Sequence, residues 1–241
     1  MPLHPLHKEI LDLITICSGS PTQHTFLDGY LGNKHPRYAI NAPTLRKISK
    51  EWMREHRDLS PKDFQQLLTS LVKGKSFTEK AMVGVLLDDS TMAQRKFDPS
   101  VFDQWLEHLE GWAEVDSVCT GTYTATEIPV DWVRWKRLLT AFSKSKNIQK
   151  RRASIVLLCS PLRKGKNLSL LKMALQNVSR LQSEKEILIT KAISWVLRSA
   201  ANHHGPEIKK YVALNKETLP KIAVRETLTK LSTGRKTKPK E

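Results

Sequence analysis

One stretch of this chain has residue types and a spacing that could do chemistry: Trp112-Ala113-Glu114-Val115-Asp116-Ser117-Val118. Read as a helix, it sets Trp112 and Asp116 four residues apart, so the two side chains share one surface. A helix expected over 112–124 brings Cys119 and Tyr123 to the same side. Glu114, Ser117 and Gly121 point the other way, where a solvent face is expected. Asp116 is then the acid placed among aromatic and apolar neighbours, and Glu114 is the surface acid. A carboxylate held against an indole is a candidate for chemistry on a cation. It can equally make a structural bond to a neighbouring helix, and spacing alone leaves both open.

A second tryptophan stands out in Lys191-Ala192-Ile193-Ser194-Trp195-Val196-Leu197-Arg198. The apolar stripe of this helix is Ile189, Ala192, Ile193, Val196 and Ala200, and Trp195 is not on it. At helical spacing its neighbours include Lys191 and Arg198, a cationic face. A tryptophan there either packs against the next element or contacts a ligand. Arg152, earlier in the chain, is either one more phosphate contact or, if it approaches Asp116, the charge that keeps that carboxylate ionised.

These residues sit in a strongly basic chain. At 241 residues it carries 40 Lys and Arg against 24 Asp and Glu, a formal net charge of +16. Such an imbalance calls for an anionic partner. The charge is concentrated: between Trp132 and Ser183 there is no Asp or Glu, while thirteen Lys and Arg run from Arg134 to Arg180. Solvated faces mix signs, so an acid-free stretch of this length points to a surface that tracks phosphates. The three cysteines, Cys17, Cys119 and Cys159, have no CxxC or zinc spacing and read as reduced core thiols. With no signal peptide and no transmembrane-length apolar run, a cytoplasmic protein is expected.

The elements that must position these residues are helices. Amphipathic segments are expected over 5–18 and 22–32. Asn41 is placed to cap a helix with Pro43 in its first turn and an end near Arg57. Ser60-Pro61 starts the next in the same way. Further helices are expected at 61–73, 77–88, 100–110, 112–124, 130–143, 147–159, 166–180, 184–203, 205–213 and 218–231, with weak strand signals throughout. Comparable segments end at Ala81, Asp116, Ala153, Ala192 and Val224, recurring every 32–39 residues. That period suits stacked pairs of antiparallel helices. The expected fold is an all-α superhelix, a solenoid of HEAT-like repeats with a concave basic surface. One domain is expected over 1–231, followed by a basic, disordered tail from 232 to 241.

The chemistry follows if the surface holds duplex DNA. Breaking a glycosidic bond develops oxocarbenium-like charge on the sugar. Indole faces attract such a cation by about 0.5–2 kcal/mol each, and a nearby carboxylate can stabilise it or position a water. No second carboxylate stands out as a general acid. None is required when the leaving base is already cationic, as an N3- or N7-alkylated purine is. The chain has no glycine-rich phosphate loop, no GxSxG and no metal-ligand spacing, so no cofactor and no metal are expected.

At these residues the sequence resembles the bacterial alkylpurine DNA glycosylases built of HEAT-like repeats, the AlkD type. The resemblance rests on Trp112-Ala-Glu-Val-Asp116-Ser-Val118, Arg152-Ala153 and Lys191-Ala-Ile-Ser-Trp195-Val-Leu-Arg198, with Ile40-Asn41-Ala42-Pro43 followed by Arg46. It spans about residues 25–230. It implies a monomer that hydrolyses the N-glycosidic bond of 3-methyladenine and 7-methylguanine in double-stranded DNA, without full extrusion of the base. It further implies Asp116 as the catalytic carboxylate, Trp112 and Trp195 against the lesion's deoxyribose, and Arg152 on the backbone in support of Asp116. Tyr30 and Asn41 align with residues that approach the duplex, and Arg46 with a phosphate contact. Lys191 and Arg198, beside Trp195, join the DNA-binding set. Ala42 departs from the family, which has Thr before the Pro. The alternatives are a non-catalytic helical-repeat protein that binds damaged or distorted DNA, and a repeat scaffold for an acidic protein.

Overall fold

The computed structural model describes residues 3–22 and 32–237. Tyr30 and most of the helix expected over 22–32 lie outside the described residues. The described residues are helices and connections, with one isolated β-bridge between Thr22 and Arg37. Backbone packing divides the chain into two compact units, Met1–Gly121 and Thr122–Glu241.

The first unit contains α1 (Pro5–Ser18), α2 (Ala42–Glu55), α3 (Pro61–Val72), α4 (Phe77–Asp89), α5 (Val101–Trp105) and α6 (Gly111–Cys119). Local chemistry sets the boundaries. The Asn41 side chain accepts from Thr44 N, and Ser60 accepts from Asp63 N, each with a proline in the first turn as expected. Ser76 and Glu79 close a reciprocal capping box at the start of α4. That helix is buried on all sides, from Thr78 and Lys80 to Leu86 and Leu87. It lies between α2 and α6 and also packs on α3. Beneath it, Phe64, Leu67, Leu68 and Leu71 of α3 are fully buried.

The second unit contains α7 (Thr122–Val130), α8 (Trp132–Phe142), α9 (Ile148–Val156), α10 (Cys159–Lys164), α11 (Leu168–Leu181), α12 (Ile187–Ala200), α13 (Gly205–Leu214) and α14 (Lys221–Thr233). Here α9 is central, packed by α8, α11 and α12, and α12 in turn packs on α14. The segments read as recurring every 32–39 residues lie on α4, α6, α9, α12 and α14. Within each unit these helices stack on one another in sequence order: α4 on α6, then α9 on α12 on α14. One helix, α5, stands between the first pair; α10 and α11 stand between α9 and α12, and α13 between α12 and α14.

Several expectations are corrected. The helix expected over 112–124 ends at Cys119. Thr120 is extended and Gly121 turns at φ +128°, a conformation that L side chains rarely adopt. A Cβ there would also meet the Asp88 carboxylate. Tyr123 consequently belongs to α7 and is not on Asp116's helix. Of the three thiols, Cys119 and Cys159 are buried but Cys17, in the last turn of α1, is exposed. The helix expected over 100–110 shortens to Val101–Trp105. At the C-terminal end, α14 runs to Thr233, two residues into the stretch read as tail, and Gly234 caps it in the left-handed conformation.

Candidate functional site

In the first unit, Trp112 and Asp116 lie one turn apart on α6 and are both half-buried. Asp116 shares its helix with the fully buried Val115, Val118 and Cys119. The position of this helix depends on a close approach to α4. A Cβ on Gly84 would come within 1.7 Å of Ser117 O, so the two backbones touch where α6 carries Asp116. The Asp116 carbonyl accepts from Thr120 N at 3.1 Å and Thr120 Oγ1 at 2.7 Å, which closes the last turn.

Glu114 is not the surface acid. It is 0% exposed. One carboxylate oxygen lies 2.7 Å from His35 Nδ1, and the other accepts from Glu110 N at 2.7 Å. Burial pushes its carboxyl above the usual range, opposed by Glu110 N–H, by His35 and by Lys80. Lys80 is itself buried and donates to Val72 O at 2.7 Å. Burial pulls its ammonium below the ordinary lysine value, and Glu114, Glu79 and Glu110 oppose that pull. The face opposite Asp116 is thus a buried ionic seam that fastens α6 to the loop before α2 and to α4. Spacing separated the two faces of α6 but could not say which one met protein. The approach is made by two glycines: Gly32 and Gly111 both have positive φ, and a Cβ on Gly32 would sit 3.3 Å from Gly111 Cα. The loop that brings in His35 lies directly on the start of α6.

In the second unit, Trp195 is half-buried on α12, off the stripe formed by the buried Ile189, Ala192, Ile193, Val196 and Ala200. Lys191 is exposed. Arg198 is held by Glu226 at 3.3 Å, and Ser194 donates to the same carboxylate at 2.6 Å. Arg152 is only 3% exposed and its guanidinium donates to Leu188 O, in the first turn of α12. This ties α9 to the helix that carries Trp195. Asn41 and Arg46 are exposed at the start of α2, with Asn41 serving as the N-cap. Arg46 lines a groove with Pro43, Lys47, Lys50, Glu51, Arg54 and Arg57, in which five cations outnumber the one acid.

The structure thus brings Trp112 together with Asp116, and Trp195 together with Lys191, Arg198 and the reach of Arg152. The two groups belong to different compact units. Among the described residues, no group of three His, Cys, Asp or Glu side chains could hold a metal ion, and no helix is long and apolar enough to cross a membrane.

Comparison with known proteins places this arrangement in a class. The model of the DNA alkylation repair enzyme family matches residues 18–231, and the chain belongs to that family. A solved structure from Enterococcus faecalis, described as a predicted DNA alkylation repair enzyme, shares the fold at a TM-score of 0.70 and 15% identity, covering 89% of this chain and 99% of that one. No curated protein matches.

Proposed function

We propose that this protein is a DNA glycosylase that hydrolyses the N-glycosidic bond of cationic N3- and N7-alkylated purines in duplex DNA. Family membership supports the repair role, and the state of the two α6 acids supports the chemistry. Glu114 is fully buried and bonded on both oxygens, whereas Asp116 is half-buried one turn from Trp112. Asp116 is therefore the α6 carboxylate within reach of a ligand. As the sugar–base bond lengthens, positive charge grows on the deoxyribose. The Asp116 carboxylate stabilises that charge and positions the attacking water, and the indoles of Trp112 and Trp195 present their faces to it. The alkylated base departs neutral and needs no proton donor. Arg152, buried and bonded to Leu188 O, holds the start of the helix that carries Trp195, and Asn41, Arg46, Lys191, Arg198 and Tyr30 serve DNA binding. The protein acts as a monomer without a cofactor.

The test is release of 7-methylguanine and 3-methyladenine from methylated duplex under single-turnover conditions. Asp116→Asn is expected to slow release about 100-fold or more, in the range found when one electrostatic stabiliser is removed. Equal release by both proteins sinks the role of Asp116. No release by the wild type sinks the activity.

A further inference from the structure

The acid-free stretch 132–183 is not one uniform surface. Of its thirteen cations, Lys150 and Arg152 are buried, while Arg134 pairs with Asp131 and Arg151 with Glu184, acids just outside the stretch. The rest are exposed, and several gather on the outer face of α8. That helix turns Trp135, Leu139 and Phe142 into the core. Its opposite face forms a shallow groove lined by Trp132, Val133, Lys136, Arg137, Thr140, Ala141 and Lys144. The groove continues past the end of α8. Arg180, exposed on α11, donates to Ser143 Oγ at 2.8 Å. Arg151 holds the carbonyls of Ser145 and Lys146 at 3.0 and 2.8 Å, fixing the loop on which Lys144 and Lys146 stand.

From this we infer that the outer face of α8 is a second binding surface for the backbone of duplex DNA, separate from the helix that carries Trp195. It rests on the proposed DNA role only for the identity of the polyanion. Lys136 and Arg137 stand on α8 and Lys144 on the loop that follows it, while duplex DNA carries one charge per about 1.7 Å of its axis. The face can therefore meet several phosphates at once, with Thr140 as a neutral donor between the cations. Its apolar lining is Val133, 64% exposed, with Trp132, Ala141 and the stems of the cations, a strip along one short helix that is narrower than the broad apolar face membrane insertion needs. An acidic protein partner would require a pattern of opposing groups, whereas a continuous polyanion requires only unopposed cations. Contact here holds DNA flanking the lesion and raises residence on long duplexes.

The test uses the full chain and an undamaged 50-base-pair duplex, with affinity followed against salt concentration. Lys136→Ser/Arg137→Ser/Lys144→Ser is compared with a control of equal charge, Lys209→Ser/Lys210→Ser/Lys216→Ser. All six residues are exposed, and thermal melts confirm that both variants fold. The α8 variant is expected to lose at least about tenfold in affinity at about 0.1 M salt. Its salt slope should fall by about 2–3, near 0.9 for each phosphate that is no longer neutralised, with the control changing both far less. Acetylation footprinting of the wild type should show Lys136 and Lys144 protected by the same duplex. Equal effects in the two variants, or no effect and no protection, overturn the inference. So does loss of binding to phosphatidylserine vesicles with an unchanged DNA slope, which would make the face a membrane surface. Because the duplex carries no lesion, a failure of base release leaves this result intact, and the converse also holds.

Discussion

At the residue scale, two carboxylates two positions apart on α6 have opposite fates, and environment alone separates them. Glu114 is sealed from water, with His35, Glu110 N–H and Lys80 supplying its compensation. Asp116 stays half-buried, one turn from Trp112. Glu79, on α4, belongs to the same buried region. Burial works against its ionisation, but hydrogen bonds from His7 and Ser76 outweigh that effect and hold its carboxyl below the ordinary 4.5. The folded state therefore binds fewer protons at Glu79 than the unfolded state does. Its contribution to stability is fully present above 4.5 and is lost as pH falls through the lowered folded value. Glu114, with a raised value, has the opposite sign and adds no acid-side loss. Glu79→Gln should melt below the wild type near neutrality, then lose less stability than the wild type between about pH 5 and about pH 3. Melting curves that fall in parallel over that range would show that the cluster does not drive the acid limb.

At the element scale, the site depends on how closely α4 and α6 approach, and Gly84 is the residue that permits it. A Cβ there meets backbone, Ser117 O at 1.7 Å and Ser117 C at 2.8 Å, so no side chain can rotate out of the way. Gly84→Ala should cost about 1–3 kcal/mol, as overpacking does. It should also reduce base release severalfold, because α6 carries Trp112 and Asp116 away from α4, although no reacting group is removed. A variant with wild-type melting temperature and release rate would refute this account of how Asp116 is held. Much of this architecture was legible in the sequence. The Asn41 and Ser60 caps, the apolar stripe of α12 and the spacing of the stacked helices all follow from local chemistry. What was not legible depended on partners distant in sequence. Glu114 looks like a surface acid until His35, 79 residues away, is placed against it. The break after Cys119 is made at Gly121, whose positive φ disfavours L side chains and beside which the Asp88 carboxylate lies. Likewise, a net count of the acid-free stretch cannot show that Arg134 and Arg151 reach acids just beyond its ends.

At the scale of the whole molecule, the question the fold raises is cooperativity. The chain divides at Gly121 into two compact units, each with a central helix, α4 in one and α9 in the other, surrounded by its neighbours. Yet the spacing of the recurring segments runs through that boundary without interruption, from Asp116 to Ala153 as from Ala81 to Asp116, and the family match spans residues 18–231. Stacked repeats couple to their nearest neighbours, so an unbroken period favours unfolding as one body. The single-domain reading of 1–231 therefore predicts that α4 and α9 share one opening free energy. In hydrogen exchange followed against urea, the most protected amides of the two helices should converge on the same transition. Gly84→Ala, which strains the α4–α6 contact within the first unit, provides the decisive comparison: the protection of α9 should fall by the same amount as that of α4. If α9 keeps its wild-type protection while α4 loses its own, the chain is two thermodynamic domains that meet at the Thr120–Gly121 break.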